Sequence, residues 1–563
     1  MLALGLGLAA ACSRGGGERG DGTSASGTAE ASASETAGDG ATTGDDATGD
    51  TGSAGNDGAD ADGDGSTDAG ESSDTGAATP PCPGRDGSYP LEIISPMAVG
   101  PAPTGLDAGH RVFRAYPGMP YEIRIAAVGG SYPFTYALGN APEGMTIDPY
   151  TGEIRWPDPQ ADAIDVTVTV TDSMLAEVSQ TWSIAVDVAG FVFVDAVQGS
   201  SAGSGTLDDP LQSLADAHER AGAGTILVLR GGDGAIYGVE GMPVDNPDTD
   251  EERIEWQEET QPVIWLAHPD DSPRPVVDFG YTGAGEDAFV PRIRLSGSNI
   301  YVDGIETANS FRMAFQIGHD GQHGSTFRRN YMHDGGPGID GGNSAFIMYI
   351  RCDGCPAHGA IVQDNEFAAL ESGTSNSGLK LYSLSKVLIA DNDFHDIATL
   401  GEAVIAIKDS IVQFDVRGNE FWQLEAPGIG GNMSMTDDVR TFGEIRYNNV
   451  RTAGATAMFL NQDALVGELD VYRNTLQGRV EIRWIDATNG PVDLRANVVV
   501  NDDADADPMP FYDLVDVSEP SRITDVDGLY GTPADGIVDD AGDLQGAYAE
   551  YLGTRGHELG TCE

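Results

Sequence analysis

One short pattern recurs seven times in the second half of the chain: Thr326-Phe-Arg-Arg-Asn330, Ile361-Val-Gln-Asp-Asn365, Leu388-Ile-Ala-Asp-Asn392, Phe414-Asp-Val-Arg-Gly-Asn419, Glu444-Ile-Arg-Tyr-Asn448, Leu469-Asp-Val-Tyr-Arg-Asn474 and Val492-Asp-Leu-Arg-Ala-Asn497. Successive Asn residues are 35, 27, 27, 29, 26 and 23 residues apart. Repeats of this length are typical of solenoids, in which each unit buries its apolar face against its neighbours. The pattern predicts stacked coils with an Asn at the same tight turn of each coil, so that the side-chain amides of Asn330, Asn365, Asn392, Asn419, Asn448, Asn474 and Asn497 form a ladder.

The residues before the repeat indicate how the solenoid begins. The segments Phe191-Val-Phe-Val-Asp195, Gly205-Thr-Leu-Asp-Asp-Pro-Leu-Gln-Ser-Leu214 and Gly224-Thr-Ile-Leu-Val-Leu-Arg-Gly231 resemble the opening of right-handed parallel β-helices of the pectate-lyase-like superfamily. This resemblance implies an amphipathic helix over about 211–220 that caps the first coil, where strand edges and apolar core would otherwise be open. An earlier copy of the repeat, Ile300-Tyr-Val-Asp-Gly304, carries Gly in the place of Asn.

Residues 87–189 have a different pattern. Runs such as Tyr121-Glu-Ile-Arg-Ile-Ala126 and Asp165-Val-Thr-Val-Thr-Val170 alternate apolar and polar residues between turn signals, which predicts a small β-sandwich. The stretches Ser131-Tyr-Pro-Phe-Thr-Tyr-Ala-Leu138 and Thr151-Gly-Glu-Ile-Arg-Trp156 resemble the cadherin-like, immunoglobulin-type modules of bacterial surface proteins. That resemblance implies a spacer or an adhesive unit beside a carbohydrate-binding part.

The N-terminal residues indicate export. A short apolar run ends in Ala9-Ala10-Ala11 directly before Cys12, which resembles the lipobox of bacterial lipoproteins and implies that Cys12 is lipidated. The alternative is an ordinary signal peptide with an incidental Cys. Residues 13–86 are rich in Gly, Ser, Thr, Ala, Asp and Glu and predict a disordered acidic linker. Its run Asp60-x-Asp62-x-Asp64-Gly65 has the spacing of a calcium loop, but the flanking residues cannot form the two helices of an EF-hand.

Four cysteines remain after Cys12. An even number in an exported protein favours disulfides. Cys352 and Cys355 are spaced for a local bridge in a Gly-rich loop, and Cys82 and Cys562 can be bridged only if the two ends of the folded region meet.

Composition excludes some partners. The chain has 30 Lys and Arg against 90 Asp and Glu, a formal net charge of −60. Such a surface repels nucleic acid and anionic lipid, so neither is expected to bind the protein surface. Only three residues are lysine: Lys380, Lys386 and Lys408.

Two of these lysines mark the candidate site. Catalytic or binding groups of such a solenoid are expected on the outer face of one strand row, and the segments upstream of each Asn supply that row. Lys380 and Lys408 lie 12 and 11 residues before their Asn, so we expect them to stack, with Arg351 beside them. A polysaccharide lyase needs such a base to remove the proton next to a uronate carboxylate, and a cation to neutralise that carboxylate. The candidate calcium ligands are Asp334, Asp340, Asp391 and Asp393. The alternative is that both lysines are surface groups paired with acids such as Asp409.

Two other chemistries match less well. The segment Gly401-Glu-Ala-Val-Ile-Ala-Ile-Lys408 is similar to the acidic segment of polygalacturonases, but Ala403 stands in the place of the second acid and only Glu402 carries over. His319, His323 and His333 form the only histidine cluster and could bind a metal or act as acid and base, although solvated loops are the favoured interpretation.

The sequence therefore predicts an all-β protein: a signal peptide (1–12), a linker (13–86), an immunoglobulin-like β-sandwich (87–189), a right-handed parallel β-helix (190–510) and a C-terminal cap and tail (511–563). We expect an exported, lipid-anchored monomer of the cell envelope or surface that binds polysaccharide along the coil. The alternatives are a calcium-dependent polysaccharide lyase acting on a uronate-containing glycan, and a non-catalytic adhesive or structural spacer. Calcium is the only cofactor that the sequence suggests, and the membrane is reached through the lipid alone.

Overall fold

The computed structural model describes residues 89–96, 110–160, 163–222, 224–244 and 253–532, apart from the segments 257–261, 283–291, 296–297, 312, 318–323, 337–343, 350–358, 371–375, 383, 385, 399–402, 409–410, 412, 433–440, 462–466, 484, 488–490, 502–511 and 527. All of these residues belong to one compact part of the chain, Gly76–Glu563. The predicted signal peptide, the whole predicted linker, all five cysteines and residues 533–563 of the predicted C-terminal cap and tail lie outside the described residues.

The first part is a sandwich of short strands. These are β1 Glu92–Ser95, β2 Arg114–Ala115, β3 Tyr121–Arg124, β4 Ala126–Val128, β5 Thr135–Asn140, β6 Thr146–Ile147, β7 Glu153–Trp156, β8 Ala163–Thr171 and β9 Glu177–Val186. They form a four-stranded sheet in the order β2-β9-β8-β5, a three-stranded sheet in the order β3-β7-β6, and the pair β1-β4. All pairs are antiparallel except β2–β9.

Alternation in the sequence explains the sandwich core. Along β8, Val166, Val168 and Val170 are fully buried, while Thr167 and Thr169 lie on the other face. Side chains of successive strand residues point to opposite faces, so the two-residue period places every valine in the core.

The second part is a parallel β-helix built from three rows of strands. Ladder A contains β10 Phe191–Val194, β11 Ile226–Leu229, β14 Pro262–Ala267, β17 Ser298–Asp303, β20 Ser325–Arg328, β23 Ala360–Gln363, β26 Lys386–Ala390, β29 Gln413–Arg417, β32 Thr441–Arg446, β34 Gly467–Tyr472, β36 Val492–Arg495 and β39 Ile523–Val526. Ladder B contains β12 Ile236–Gly238, β15 Val276–Asp278, β18 Glu306–Ala308, β21 Tyr331–His333, β24 Glu366–Leu370, β27 Asp393–Ile397, β30 Glu420–Leu424, β37 Val498–Val500 and β40 Leu529–Gly531. Ladder C contains β13 Arg253–Trp256, β16 Arg292–Leu295, β19 Met313–Ile317, β22 Ser344–Tyr349, β25 Asn376–Tyr382, β28 Ile405–Lys408, β31 Ile429–Asn432 and β38 Tyr512–Val515. The long strands β33 Asn449–Asn461 and β35 Thr475–Arg483 run through both ladders B and C.

Each strand pairs in parallel with its counterpart one coil further on, and one side of it faces the core. In β26, for example, Val387 and Ile389 point into the coil, while Leu388 and Ala390 point outward. The predicted fold class is therefore confirmed: an all-β chain in which a sandwich precedes a parallel β-helix.

A left-handed residue followed by Asn turns the chain from ladder A to ladder B. The residue before the Asn has a positive φ in seven coils: Arg329, Asp364, Asp391, Gly418, Tyr447, Arg473 and Ala496. The Asn side chains are buried and linked. The Nδ2 of Asn392, for instance, donates to the carbonyl of Val362 and to the Oδ1 of Asn419, both at 2.9 Å.

The earliest copy of the repeat is offset by one residue from the sequence expectation. Gly304 has φ 77° and occupies the left-handed position, not the Asn position. The Asn position belongs to Ile305, whose backbone N–H donates to the Oδ1 of Asn330 at 3.0 Å. Glycine suits the left-handed position because it has no Cβ to clash there.

The capping helix lies within the predicted segment, and the strand pairing runs past the predicted end of the solenoid. The capping helix α1, Leu214–Arg220, begins after Ser213, whose side chain accepts from the backbone N–H of Asp216. Its apolar face, with Leu214 and Ala217, packs into the solenoid core. At the other end, the parallel pairing continues beyond residue 510 to Gly531.

The sandwich packs against the side of the solenoid, on the outer face of ladder A. Near the first coils this contact is apolar: Ile226 and Val228 of β11 point outward into the sandwich core, while Leu227 and Leu229 point into the coil. A strand that is buried on both faces has no polar side, which explains the continuous apolar run of this segment.

Further along ladder A the contact is ionic. Arg124 of the sandwich pairs with both Asp364 and Asp391, and Arg328 Nη2 pairs with Glu153 Oε1 at 2.7 Å. Burial raises the pKa of Asp303, but the guanidinium groups of Arg328 and Arg329 outweigh this effect, and the pKa lies below its ordinary value.

The ionic contact ends in a fully buried cluster. Asp415 accepts from Arg417 and from Arg446, whose Nη2 lies 2.6 Å from Asp415 Oδ2. Both arginines also reach backbone carbonyls of the sandwich, those of Ala127 and Gly130. Buried charges of this kind must be paired, so the two parts are fastened along the length of ladder A.

Candidate functional site

The sequence places the candidate site on the outer face of one strand row, and that row is ladder C. Its inward residues, such as Leu379 and Leu381 in β25, are in the core. The side chains between them point outward. On β25, β28, β31, β33 and β35, these outward residues include Lys380, Tyr382, Ala406, Lys408, Gly430, Phe459, Glu481 and Arg483. We call this surface the ladder C face.

The two predicted lysines lie on adjacent strands of this face, but they do not stack directly. Lys380 is opposite Ala406, and Lys408 is opposite Tyr382. The side chain of Lys380 is fully buried, whereas that of Lys408 is partly exposed. The Nζ of Lys408 lies 5.8 Å from the centre of the Tyr382 ring, within cation–π range.

A second cation–aromatic pair lies further along the same face. The guanidinium carbon of Arg483 is 5.7 Å from the centre of the Phe459 ring. Arg483 Nε also donates to Glu481 Oε2 at 2.8 Å, and Thr456 Oγ1 donates to Glu481 Oε1 at 2.9 Å. These bonds fix the carboxylate in place beside the ring.

Small residues separate the two pairs. Ala406 and Gly430 occupy the outward positions between Lys380 and Phe459. A Cβ on Gly430 would come within 2.5 Å of the Phe459 ring, so the ring lies directly over the glycine backbone. The middle positions are therefore buried, and a partly exposed ring and cation lie on either side of them.

Of the other predicted site residues, those that the structure describes do not lie beside the lysines. Arg351, Asp340, Glu402, Asp409, His319, His323, Cys12, Cys82, Cys352, Cys355 and Cys562 lie outside the described residues. Asp391 faces the sandwich and binds Arg124, whereas Asp393 is exposed on ladder B and Asp334 contacts His333. Among the residues that the structure describes, no group of three His, Cys, Asp or Glu side chains converges as a metal site would require.

Ladder B carries two copies of one arrangement on its outer side. The nitrogens of His333 lie 3.1 Å from Glu306 Oε1 and 2.7 Å from Asp334 Oδ2. His395 has the same two distances to Glu366 and Asp396, and it stacks on Trp422 with ring centres 4.1 Å apart.

His395 and Trp422 were not singled out from the sequence, although the repeat contains the signal. His333 and His395 are each the third residue after a repeat Asn, and each is followed by Asp. Trp422 is also the third residue after its Asn. Alignment of the coils on Asn would have placed these side chains in one row.

In the described part of the chain, no helix has the length and apolarity needed to cross a membrane.

Comparison with known proteins identifies one part of the chain. Residues 103–187 match the family described as "Putative Ig domain", in agreement with the sandwich. No curated protein sequence matches the chain.

Three solved structures are similar in fold. A rhamnogalacturonan lyase is 13% identical, with a TM-score of 0.29, over 65% of this chain and 96% of that one. XylC in complex with xylose is 11% identical, with a TM-score of 0.35, over 61% and 86%. A lacto-N-biosidase from Eubacterium ramulus is 11% identical, with a TM-score of 0.29, over 61% and 68%. With TM-scores of this size, none of the three assigns an activity to this chain.

Proposed function

We propose that this protein binds polysaccharide along the ladder C face. The observation that carries the proposal is the pairing of partly exposed rings with cations, Tyr382 with Lys408 and Phe459 with Arg483, on one side of the solenoid. Aromatic rings offer flat apolar surface to the faces of sugar rings, and nearby charged groups hydrogen-bond their hydroxyls.

The dimensions of the face favour a polymer over a single sugar. Ala406, Gly430, Phe459 and Glu481 are paired in register over three successive coil steps. At about 4.8 Å per step, these residues span roughly 14 Å along the axis. A ligand that contacts both cation–aromatic pairs must extend over several linked rings.

Binding can be tested by affinity electrophoresis of the whole chain through gels that contain soluble neutral or uronate polysaccharides. For a retained polymer, Tyr382→Ala and Lys408→Ala should each weaken binding about fivefold, because each change removes roughly 1 kcal/mol of contact. Lys386→Ala is the matched control, since Lys386 lies on ladder A and pairs with Glu92. Unchanged retention of the Tyr382 and Lys408 variants, or an equal loss in the control, contradicts the proposal.

The second candidate function is a lyase that acts at the same face. The partial exposure of Lys408 favours it as the base, because Lys380 is fully buried and does not present its amine to a polymer. A lyase leaves an unsaturated product that absorbs in the ultraviolet. Absorbance that rises with calcium and a uronate polymer, and that is lost in Lys408→Ala, supports catalysis; retention on the gel without absorbance supports binding alone.

Export and anchoring through Cys12 complete the proposal. The apolar run before Cys12 supports it. Cys12→Ser should release the protein from the membrane fraction of expressing cells. A variant that remains in the membrane fraction contradicts lipid anchoring.

A further inference from the structure

Two arginines near the last coils pack on tyrosine rings and not on acids. Arg473 and Arg495 are partly exposed, and neither has a carboxylate of any described residue within ion-pair distance. Each packs on a tyrosine instead: Arg473 lies 5.7 Å from the centre of the Tyr447 ring, and Arg495 lies 5.6 Å from the centre of the Tyr472 ring. The Nε of Arg495 is buried without a hydrogen-bond partner.

The fold holds these groups together. Arg473 has φ 55° at the turn before Asn474, and its backbone N–H donates to the carbonyl of Arg495 at 3.0 Å. Tyr447 occupies the corresponding turn one coil earlier, where its ring meets that of Tyr132 from the sandwich, with centres 5.0 Å apart. The cluster of Tyr447, Tyr472, Arg473 and Arg495 therefore lies where the sandwich edge meets ladder A. We call it the arginine–tyrosine cluster.

Neither guanidinium group of the cluster forms an ion pair with a carboxylate of a described residue. Burial raises the pKa of Tyr447, and the nearby charges of Arg473, Arg446 and Arg495 act in the opposite direction. Arg446 is already paired with Asp415 and lies beside Glu444. The nearest acid on the strand of Arg495, Asp493, accepts from Thr524 at 2.7 Å. Two guanidinium charges are thus available to a ligand.

We propose that the arginine–tyrosine cluster binds an acidic sugar through its carboxylate. A guanidinium group matches a carboxylate with two parallel N–H donors. The neighbouring phenol rings supply the apolar surface that a sugar ring covers. The large negative charge of the whole protein does not prevent this contact, because salt at 0.15 M screens charges beyond about 8 Å.

Isothermal titration of the whole chain with trigalacturonate, with its fully methyl-esterified form and with inorganic sulfate tests the proposal. We expect trigalacturonate to bind and the neutral ester to bind at least tenfold more weakly, since the ester has no carboxylate charge. Arg473→Gln and Arg495→Gln should each weaken trigalacturonate binding tenfold or more, which corresponds to the loss of one charge-assisted bond. Arg155→Gln is the matched control, because Arg155 is exposed on the sandwich and pairs with Glu122.

Several outcomes overturn the proposal. The first is that the wild-type chain does not bind trigalacturonate, and the second is that it binds the ester equally well. The third is that both arginine variants keep wild-type affinity while Lys408→Ala abolishes binding. That third result would assign the uronate to the ladder C face. Displacement of trigalacturonate by an equal concentration of sulfate overturns the part assigned to the tyrosines. Unchanged near-ultraviolet circular dichroism would show that both variants keep the native fold. Partial recovery of trigalacturonate binding in Arg473→Lys would show that the loss in Arg473→Gln comes from the missing charge.

Discussion

Replacement of one Asn in the middle of the ladder, Asn392→Ala, removes four hydrogen bonds from the solenoid. The Nδ2 of Asn392 donates to the carbonyl of Val362 and to the Oδ1 of Asn419. Its own Oδ1 accepts from the backbone N–H and from the Nδ2 of Asn365. All four bonds are 2.9 Å long and lie in the buried interior of the coil.

The cost of the substitution follows from which partners are left without a bond. The Nδ2 of Asn365 keeps two backbone acceptors, Phe327 and Gln363. The backbone N–H of Asn365 loses its only acceptor and is buried, which costs about 1–3 kcal/mol. With a net loss of roughly 0.5–1 kcal/mol for each of the other three bonds, we expect the free energy of unfolding to fall by about 4 kcal/mol.

Urea denaturation and hydrogen exchange measure this effect. The midpoint should fall, and the Asn365 amide should exchange faster than the amides of distant coils, because solenoid repeats contact mainly their neighbours. Asn140→Ala is the control: its side chain is exposed and makes a single bond, to the carbonyl of Asp165. If Asn392→Ala and Asn140→Ala lower the free energy of unfolding equally, the Asn ladder does not stabilise the coil.

Three further perturbations test the packing. Gly418→Ala should lower the free energy of unfolding, measured by urea denaturation, by about 2 kcal/mol, because the residue has φ 65° and a Cβ would collide with the Asp391 carboxylate. Wild-type stability of this variant would contradict that conformation. Arg124→Met should lower the free energy of unfolding by about 3 kcal/mol and speed proteolysis between the sandwich and the solenoid, because it leaves Asp364 and Asp391 unpaired. Unchanged proteolysis would show that these ion pairs do not hold the sandwich against the solenoid. Burial and the Asp415 and Asp470 carboxylates raise the pKa of Glu444 to about 7, against the lowering effect of Arg446. The folded protein therefore holds this proton more tightly than the unfolded chain does. The resulting stabilisation is complete below about pH 4.5 and is lost as the pH rises through 7. Glu444→Gln should therefore gain on the order of 3 kcal/mol relative to wild type between pH 4.5 and pH 8, and parallel pH profiles would contradict this.

The sequence located the candidate face but not its geometry. The repeat period places Lys380 and Lys408 in one strand row, and both lie on ladder C. It could not show that Lys380 is buried and Lys408 partly exposed, because burial depends on the packing of other coils and loops. Asp391, a calcium candidate by composition, binds Arg124, a residue 267 positions earlier.

The sequence alone determines that residues of the repeat fold into stacked coils. Alternation of apolar residues sets which face of a strand is buried, and the recurrent turn before Asn sets where the chain bends, and both are local requirements that each repeat meets on its own. The lateral attachment of the sandwich is a property of the tertiary structure alone. In the sequence, Asp415, Arg417 and Arg446 are charged residues at outward positions of the repeat, with nothing to mark them as buried. They form a buried interface because the sandwich covers them, with the carbonyls of Ala127 and Gly130 accepting from the two arginines. Contacts between residues some 300 positions apart leave no periodic trace in a sequence, because no local conformational preference depends on them.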